Sequence, residues 1–258
     1  MKKLNFAELL ENSLKDEGKI SNAYSVFHNY SINNMLFAMK QMEAMKIEIA
    51  PIGTFNKFKS LGLKIKKGSK AISLLVPSTK NYTKEEDGEE IQETITYFNI
   101  KKGWFSMSQT NADEKQKKEM MQTNVNFDLN KALEELKIKI IPFSHVNGNC
   151  MGFARGREIA INPVNPLKHK TSFHEMGHIL LGHTAAGEMN DSTNLPRDIK
   201  ELEAESVAYL CISALDLEGA KESRGYIQNW FNSDKYPEKS ARRVMKVADQ
   251  ILKAGAAK

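Results

Sequence analysis

The sequence predicts an α+β fold in two domains, and three of its features lead to that class. Stretches with apolar residues every three or four positions occur beside short runs rich in β-branched and aromatic residues, which predicts helices and strands in one chain. The polar segment 111–123, NADEKQKKEMMQT, lacks strand character and separates two such regions. The composition also shifts along the chain, since all six arginines lie at Arg155 or later, and this shift supports a domain boundary near the polar segment. We expect an α+β first domain over 1–110, a linker over 111–123, and a mainly helical second domain with a small sheet over 124–258.

Length and composition place the protein among globular chains. Its 258 residues are enough to bury the cores of two domains, and 41% hydrophobic with 27% charged residues is ordinary for such chains. No apolar run approaches the roughly 20 residues needed to cross a bilayer, and the polar N-terminal segment has no apolar core for secretion. Cys150 and Cys211 cannot build a disulfide framework. We therefore expect a cytoplasmic protein without a membrane partner.

The first domain is expected to begin with helices and to end in a β-hairpin. Helical periodicity covers residues 4–14 and 22–45. The segment TFNKFKSLG predicts a short helix that Thr54 caps and Gly62 ends. AISLLVP and ETITYFNIKKGWFSMSQT are typical of strands, and EEDGEE predicts the turn at the hairpin tip.

The second domain is expected to be built mainly from helices. FDLNKALEELKIKIIPF predicts a helix followed by a strand, and GNCMGFARGREIAINP predicts a hairpin with a glycine-containing turn. Four helices are then predicted, over 168–183, 197–216, 220–231 and 236–254.

Residues 172–183, SFHEMGHILLGH, contain the pattern His-Glu-x-x-His. On a helix, His174 and His178 are four residues apart, so they share a face and can bind one metal ion. Glu175 lies beside them and can accept a proton from a metal-bound water. The alternative is a core helix with two satisfied histidines. Because the flanking residues are apolar, unpaired histidines would be costly there. We predict a catalytic Glu175 and a Zn²⁺ site, or one for another divalent ion such as Mn²⁺.

The third ligand is predicted to come from a later helix, DIKELEAESVAYLCISAL. The metzincin pattern fails, because Thr184 stands where its third histidine would be; His183 comes one residue early and is interpreted as a helix-terminal histidine. Glu201 and Glu205 share one helix face, whereas Glu203 points about 200° away from Glu201. We predict Glu201 as the ligand and Glu205 as support for a histidine N–H. Glu205 as the ligand, or glutamates that simply face solvent, remain the alternatives.

Two further expectations concern substrate binding beside this centre. By analogy with metallopeptidases of similar layout, the strand REIAINP is expected at a sheet edge that pairs with an extended peptide. The alternative is a plain core hairpin. Tyr209 and His183 are weaker candidates for polarising a substrate oxyanion.

The first half of the chain carries a block of lysines. No acidic residue occurs between Glu48 and Glu85, and the net charge of the chain is +5. Lysines interleaved with aromatic residues are typical of single-stranded nucleic-acid binding, in which cations follow the phosphates and rings stack on bases. The alternative is a solvated lysine face over an aromatic core. The candidate nucleic-acid-binding residues are Lys57, Lys59, Lys64, Lys66, Lys67, Lys70 and Trp104.

The order of these segments resembles the ArdC-type antirestriction proteins of conjugative plasmids and related mobile elements. In the first half the resemblance is carried by YSINNMLFAMKQ, by GTFNKFKSLGLKIKKGSKAISLLVP and by an aromatic strand ending in SQT. In the second half it is carried by FHEMGHILLGH, ELEAESVAYL and a helix containing YIQNW. It implies an N-terminal single-stranded-DNA-binding domain and a zincin-like metallopeptidase domain, which together protect incoming plasmid DNA from restriction.

The resemblance also implies roles for individual residues. His174, His178 and Glu201 match the metal ligands, Glu175 the general base, and Glu205 the end of the Glu-x-x-x-Glu pattern. The chain departs from its relatives where they usually have tryptophan, at Phe58 or a neighbour, and in using lysine in place of arginine.

We therefore expect a single-stranded-DNA-binding antirestriction protein of a mobile element with a metal-dependent peptidase-like domain. Its expected partners are single-stranded DNA and a protein or peptide substrate. One alternative is a cytosolic zinc metallopeptidase that cleaves a specific regulatory protein. Another is a DNA-binding protein whose metal is only structural.

Overall fold

The structure is a computed structural model that describes residues 4–15, 18–86, 89–121, 126–144, 150–184, 195–233 and 236–256. Its helices are α1 (Phe6–Ser13), α2 (Lys19–Phe27), α3 (Ile32–Ala44), α4 (Phe55–Ser60), α5 (Glu114–Met121), α6 (Leu129–Glu135), α7 (Lys168–Leu180), α8 (Arg197–Ala214), α9 (Ala220–Ser233) and α10 (Glu238–Gly255). Its strands are β1 (Ile52–Thr54), β2 (Ile72–Glu86), β3 (Glu89–Ser106), β4 (Lys139–Ile140), β5 (Gly152–Arg155) and β6 (Glu158–Ile161). None of the described helices combines the length and the apolar character needed to span a membrane. The predicted α+β class in two parts is confirmed.

Contacts within the chain define two compact units. One comprises Met1–Leu36 and Gln122–Lys258, and the other comprises Phe37–Met121. The predicted first domain, 1–110, included the first 36 residues. In the structure, the described residues of that segment belong to the same unit as the C-terminal half. For example, the backbone N–H of Phe6 donates to Glu238 at the start of α10, at 2.8 Å. The predicted limits of the two domains stay a prediction.

The helix predicted over 22–45 is interrupted, and that prediction was wrong. α2 ends at Phe27 and α3 begins at Ile32. The hydroxyl of Ser31 accepts a hydrogen bond from the backbone N–H of Asn34 at 3.3 Å, as a capping side chain does at a helix start. Continuous apolar periodicity hid this break, because both helices bury residues at similar spacing.

The unit Phe37–Met121 is built on a three-stranded antiparallel sheet with the order β1-β3-β2. β2 and β3 form the predicted hairpin; Asp87 and Gly88 of the predicted turn lie outside the described residues. Thr54 caps α4 as predicted, accepting from the N–H of Lys57 at 3.3 Å. A buried cluster holds the short elements against the sheet; its members are Ala50, Phe58, Leu63 and Met107.

The segment predicted as a linker, 111–123, contains α5 in its described part. Asp113 and Gln116 cap its start reciprocally: the Asp113 carboxylate accepts from the Gln116 N–H at 2.7 Å, and the Gln116 side chain accepts from the Asp113 N–H at 3.0 Å. Polar composition indicated a linker, whereas capping and charged pairs allow a polar helix.

The unit that contains the His-Glu-x-x-His helix has a small second sheet with the order β4-β6-β5. β6 is the central strand, parallel to β4 and antiparallel to β5. The expectation that REIAINP is an edge strand was therefore wrong, because β6 lies between β5 and β4, although β4 pairs only with Glu158 and Ile159. Gly152 of β5 lies against Thr171 of α7, where a Cβ would approach the threonine methyl to 2.6 Å.

α7 and α8 pack closely at Gly177. A Cβ at this position would lie 3.3 Å from the Cα of Ala204 and 3.3 Å from the Cβ of Val207. The small residue therefore lets the two helix backbones approach. This crossing brings the glutamates at the start of α8 to the histidines of α7.

Candidate functional site

The first group of interest is formed by His174 and His178 on α7 and Glu201 on α8. One ligand atom from each lies within 4.8 Å of the others. The Nε2 atoms of the two histidines are 3.1 Å apart. One carboxylate oxygen of Glu201 lies 3.3 Å from Nε2 of His174 and 3.6 Å from Nε2 of His178. The helix spacing of four residues and the crossing at Gly177 together produce this convergence.

The donor set fits a divalent ion. Two imidazole nitrogens and one carboxylate are a ligand combination that zinc commonly takes in catalytic sites, with a further position left for water or substrate. The short separations among the three ligand atoms, all within 4.8 Å, allow one ion to contact them together. Imidazole and carboxylate also suit other divalent ions, so the donor set alone does not choose between zinc and manganese.

The outer nitrogen of His174 is held by Glu205. Nδ1 of His174 lies 3.0 Å from the Glu205 carboxylate, whose other oxygen lies 2.8 Å from Nζ of Lys170. Burial opposes a charge on His174, but hydrogen bonds with Glu201 and Glu205 outweigh it and raise the pKa of His174 to about 9. Burial likewise opposes ionisation of Glu205, yet His174 and Lys170 lower its pKa to about 2. Glu205 thus contacts the outer nitrogen of His174, and its role in supporting a metal ligand stays a prediction.

The outer nitrogen of His178 is held by residues that sequence reasoning missed. Its Nδ1 lies 3.0 Å from Nδ1 of His183, and Nε2 of His183 lies 2.9 Å from Glu203. Glu203 is fully buried and forms an ion pair with Arg243 at 3.5 Å. Glu203 does point away from Glu201, as helix geometry predicted, but it points to His183 and not to solvent. The interpretation of His183 as a mere helix-terminal residue is incomplete.

Glu175 is buried on the same helix, with 7% of its surface exposed. Burial raises the pKa of its carboxyl above the ordinary value, and the neighbouring His174 and His178 partly offset that rise. A carboxylate in so poorly solvated a place is a stronger base than one in water.

Neither candidate for polarising an oxyanion has its polar group directed to such a role. The hydroxyl of Tyr209 donates to the backbone carbonyl of Ser13 at 3.1 Å, and the residue is buried. Both ring nitrogens of His183 are engaged, one by His178 and one by Glu203.

The six candidate lysines lie in the unit Phe37–Met121, on α4 and on the extended segment that follows it. All six are exposed, and none forms an ion pair with a carboxylate among the residues that the structure describes. Ile65 packs against the buried cluster and bridges to Thr110, so its neighbours Lys64 and Lys66 project away from that core. The packing of Ile65 therefore holds this segment on the core, and its lysines lie on the surface without carboxylate partners among the described residues.

The aromatic residues near these lysines differ in accessibility. Phe58 is completely buried, which excludes it from stacking on a base. Trp104 lies on β3, opposite Thr54 and Ile72, and is half-buried. Phe55 is 57% exposed at the start of α4. The sequence shows no signal that separates Phe55 from Phe58, because only the packing of α4 on the sheet decides which ring is covered.

Two protein-family models match this chain. Residues 11–127 match the N-terminal domain of the anti-restriction factor ArdC. Residues 133–246 match the IrrE N-terminal-like domain, a peptidase family. The lysine-bearing segment lies within the first match, and the group of His174, His178 and Glu201 lies within the second.

Solved structures and a curated relative give weaker likenesses. The metal-free crystal structure of the antirestriction protein ArdC from plasmid R388 has a TM-score of 0.50 at 18% identity, covering 86% of this chain and 83% of that one. The Mn(II)-bound structure of the same protein has a TM-score of 0.45, with the same identity and coverage. An uncharacterized protein of Bacillus anthracis is 24% identical over 282 residues, which is 92% of this chain and 46% of that protein. The chain thus spans about half the length of that relative.

Proposed function

This chain joins an ArdC-type N-terminal domain to an IrrE-like peptidase-type domain, and on that premise we propose a function for each part. The protein is an antirestriction factor of a mobile element that works in the cytoplasm. Its lysine-bearing part binds single-stranded DNA without base specificity. Its second part carries a peptidase-like centre that uses a divalent ion, zinc or manganese. The whole protein protects incoming DNA.

The observation that carries the metal proposal is the convergence of His174, His178 and Glu201 within 4.8 Å. These residues would hold the ion, the histidines through Nε2. A bound ion supplies Lewis acidity, which lowers the pKa of a coordinated water and polarises a substrate carbonyl.

Glu175 is the residue that moves the proton in this proposal. Its buried carboxylate accepts a proton from the attacking water and later delivers it to the leaving amine. Burial, which raises the pKa of Glu175, brings its basicity toward what such a transfer needs. Glu205 fixes the ring of His174 through Nδ1, and Lys170 keeps that carboxylate ionised.

The DNA proposal is supported by the exposed lysines and by the match of their segment to the ArdC N-terminal domain. Lysine is a point charge that contacts phosphates without reading bases, and exposed Phe55 offers a ring for stacking. Binding of this kind releases counterions, so its affinity falls steeply as salt rises.

The test is a comparison of wild type with Glu175→Gln. Both are measured for metal content, for binding of single-stranded and duplex oligonucleotides at low and high salt, for cleavage of host proteins, and for protection of transferred DNA. We expect one divalent ion and salt-dependent DNA binding in both, with protection lost only in Glu175→Gln.

Each alternative has its own outcome in this experiment. Full protection by Glu175→Gln would show that the metal is structural and that proteolysis is not the function. Cleavage of a host protein by wild type, with no retention of single-stranded or duplex DNA, would identify a metallopeptidase directed at a regulatory protein. DNA binding that is insensitive to salt would contradict the lysine surface.

A further inference from the structure

A chain of polar side chains, buried at His183 and Glu203, runs outward from His178. Its members are His178, His183, Glu203 and Arg243, joined by separations of 3.0, 2.9 and 3.5 Å in that order. The side chain of His183 is 2% exposed and that of Glu203 is fully buried. Water therefore has little access to the contact between His183 and Glu203, whereas Arg243 at the outer end is 25% exposed.

The end of α7 explains how His183 comes to lie against His178. Gly182 adopts a left-handed conformation, with φ of 77°, directly after the helix. The N–H of His183 donates to the carbonyl of His178 at 2.8 Å, and the N–H of Gly182 donates to Ile179 at 3.1 Å. This pair of bonds is the Schellman motif, which turns the chain back over the last helical turn. The sequence Leu-Gly-His after the metal-binding pattern therefore folds the third histidine onto the second.

The protons on the ring nitrogens of His183 and His178 can be assigned by starting from Glu203. The Glu203 carboxylate, paired with Arg243, only accepts hydrogen bonds, so Nε2 of His183 donates to it. A neutral imidazole that carries its proton on Nε2 has a lone pair on Nδ1. Since the two Nδ1 atoms at 3.0 Å share one proton, that proton belongs to His178. Nε2 of His178 is then left with its lone pair on the side of His174 and Glu201.

We propose that His183, held by Glu203, is a positioning residue that fixes His178 in the tautomer with Nδ1 protonated and Nε2 free to bind a metal. The role of Nε2 as a ligand rests on the proposed function; the tautomer does not. His174 receives the same support directly from a carboxylate, Glu205. The two histidines are thus oriented by different routes, one direct and one through a second imidazole.

Two substitutions, each of which keeps one of the two hydrogen-bonding positions of His183, distinguish a positioning role from a packing role. The side-chain oxygen of asparagine is as many bonds from Cα as Nδ1 of histidine, and the side-chain nitrogen of glutamine is as many bonds as Nε2. His183→Asn therefore keeps an acceptor facing His178 but withdraws the donor from Glu203. His183→Gln keeps the donor to Glu203 but withdraws the acceptor from His178.

Metal affinity should be lower in His183→Gln than in His183→Asn, whereas thermal stability should be lower in His183→Asn. Affinity for Co²⁺, followed by its visible absorption, and for Zn²⁺, followed by chelator competition, should fall about 10- to 100-fold in His183→Gln and stay close to wild type in His183→Asn. The midpoint of thermal unfolding of the metal-free protein should fall more in His183→Asn, because buried Glu203 loses a donor. If affinity simply follows stability, so that His183→Asn binds metal worse than His183→Gln, the positioning role is wrong.

A second measurement needs no variant and no metal. Ring nitrogen NMR of the metal-free wild type should show the proton of His178 on Nδ1 and that of His183 on Nε2. A proton on Nδ1 of His183 would overturn the proposal. Wild type that binds neither Co²⁺ nor Zn²⁺ while showing the expected tautomers would contradict the proposed metal centre and leave the assignment of His178 standing.

Discussion

At the scale of single residues, Glu201 and Glu205 lie on one helix face but contact different ring nitrogens of the same histidine. Both lie on α8 and both contact His174, but through different ring nitrogens: Glu201 approaches Nε2 at 3.3 Å and Glu205 approaches Nδ1 at 3.0 Å. Only Glu201 also approaches Nε2 of His178, at 3.6 Å. Contact with both inner nitrogens is what a shared metal ligand requires.

The two glutamates should therefore differ when each is replaced by its amide. We expect Glu205→Gln to weaken Zn²⁺ binding about 10- to 100-fold, because it disturbs the support of His174 but leaves the three proposed ligand atoms in place. Glu201→Gln should weaken binding further, because it removes a charged ligand. The measurement is competition with a chelator of known affinity, with the far-ultraviolet circular dichroism of both variants as the control for folding. A larger loss in Glu205→Gln would exchange the two roles.

At the scale of elements, the proposed metal centre depends on how closely α7 and α8 pack. Gly177 faces the backbone of Ala204, and backbone atoms cannot move aside as a flexible side-chain end can. A methyl group there must separate the helices by a few tenths of an ångström. Glu201 stands only three residues before Ala204, so this separation moves it away from the histidines.

Gly177→Ala should therefore lower both stability and metal affinity. Overpacking of this kind costs about 1–3 kcal/mol of unfolding free energy. Gly225→Ala on α9 is the matched control, since a Cβ there meets nothing within 4 Å. Replacing a helical glycine by alanine at such a site should stabilise by about 0.5–1 kcal/mol. Thermal unfolding and Zn²⁺ titration of the two variants check this; equal effects would contradict the close crossing.

The same elements show what sequence could and could not predict. Local rules located α4 with its Thr54 cap, the hairpin of β2 and β3, and the shared face of Glu201 and Glu205, because each depends on spacing within one segment. The central place of β6 depends on β4, which is only two residues long and pairs across a large sequence separation. The contact of His183 with Glu203 likewise joins the turn after α7 to α8, although Gly182 was a local signal that the chain turns back there.

At the scale of the whole molecule, the proposal assigns DNA binding and metal binding to different parts of the chain. The candidate lysines lie in the unit Phe37–Met121, and the proposed metal-binding group lies in the other compact unit. The net charge of +5 understates the local field, since no acidic residue interrupts the chain between Glu48 and Glu85. Substitutions in one part should therefore change one activity and leave the other.

Removing four of the lysines should weaken DNA binding and its dependence on salt together. For single strands, each phosphate contact adds about 0.7 to the slope of log affinity against log salt, so changing Lys64, Lys66, Lys67 and Lys70 to glutamine should reduce the slope by up to about 3. Zn²⁺ stoichiometry should not change. The control replaces Lys168, Lys239, Lys246 and Lys253, which removes the same charge from the other unit. If the control lowers the slope as much, net charge and not the lysine segment governs binding; if His178→Ala lowers it, the two activities are not separate.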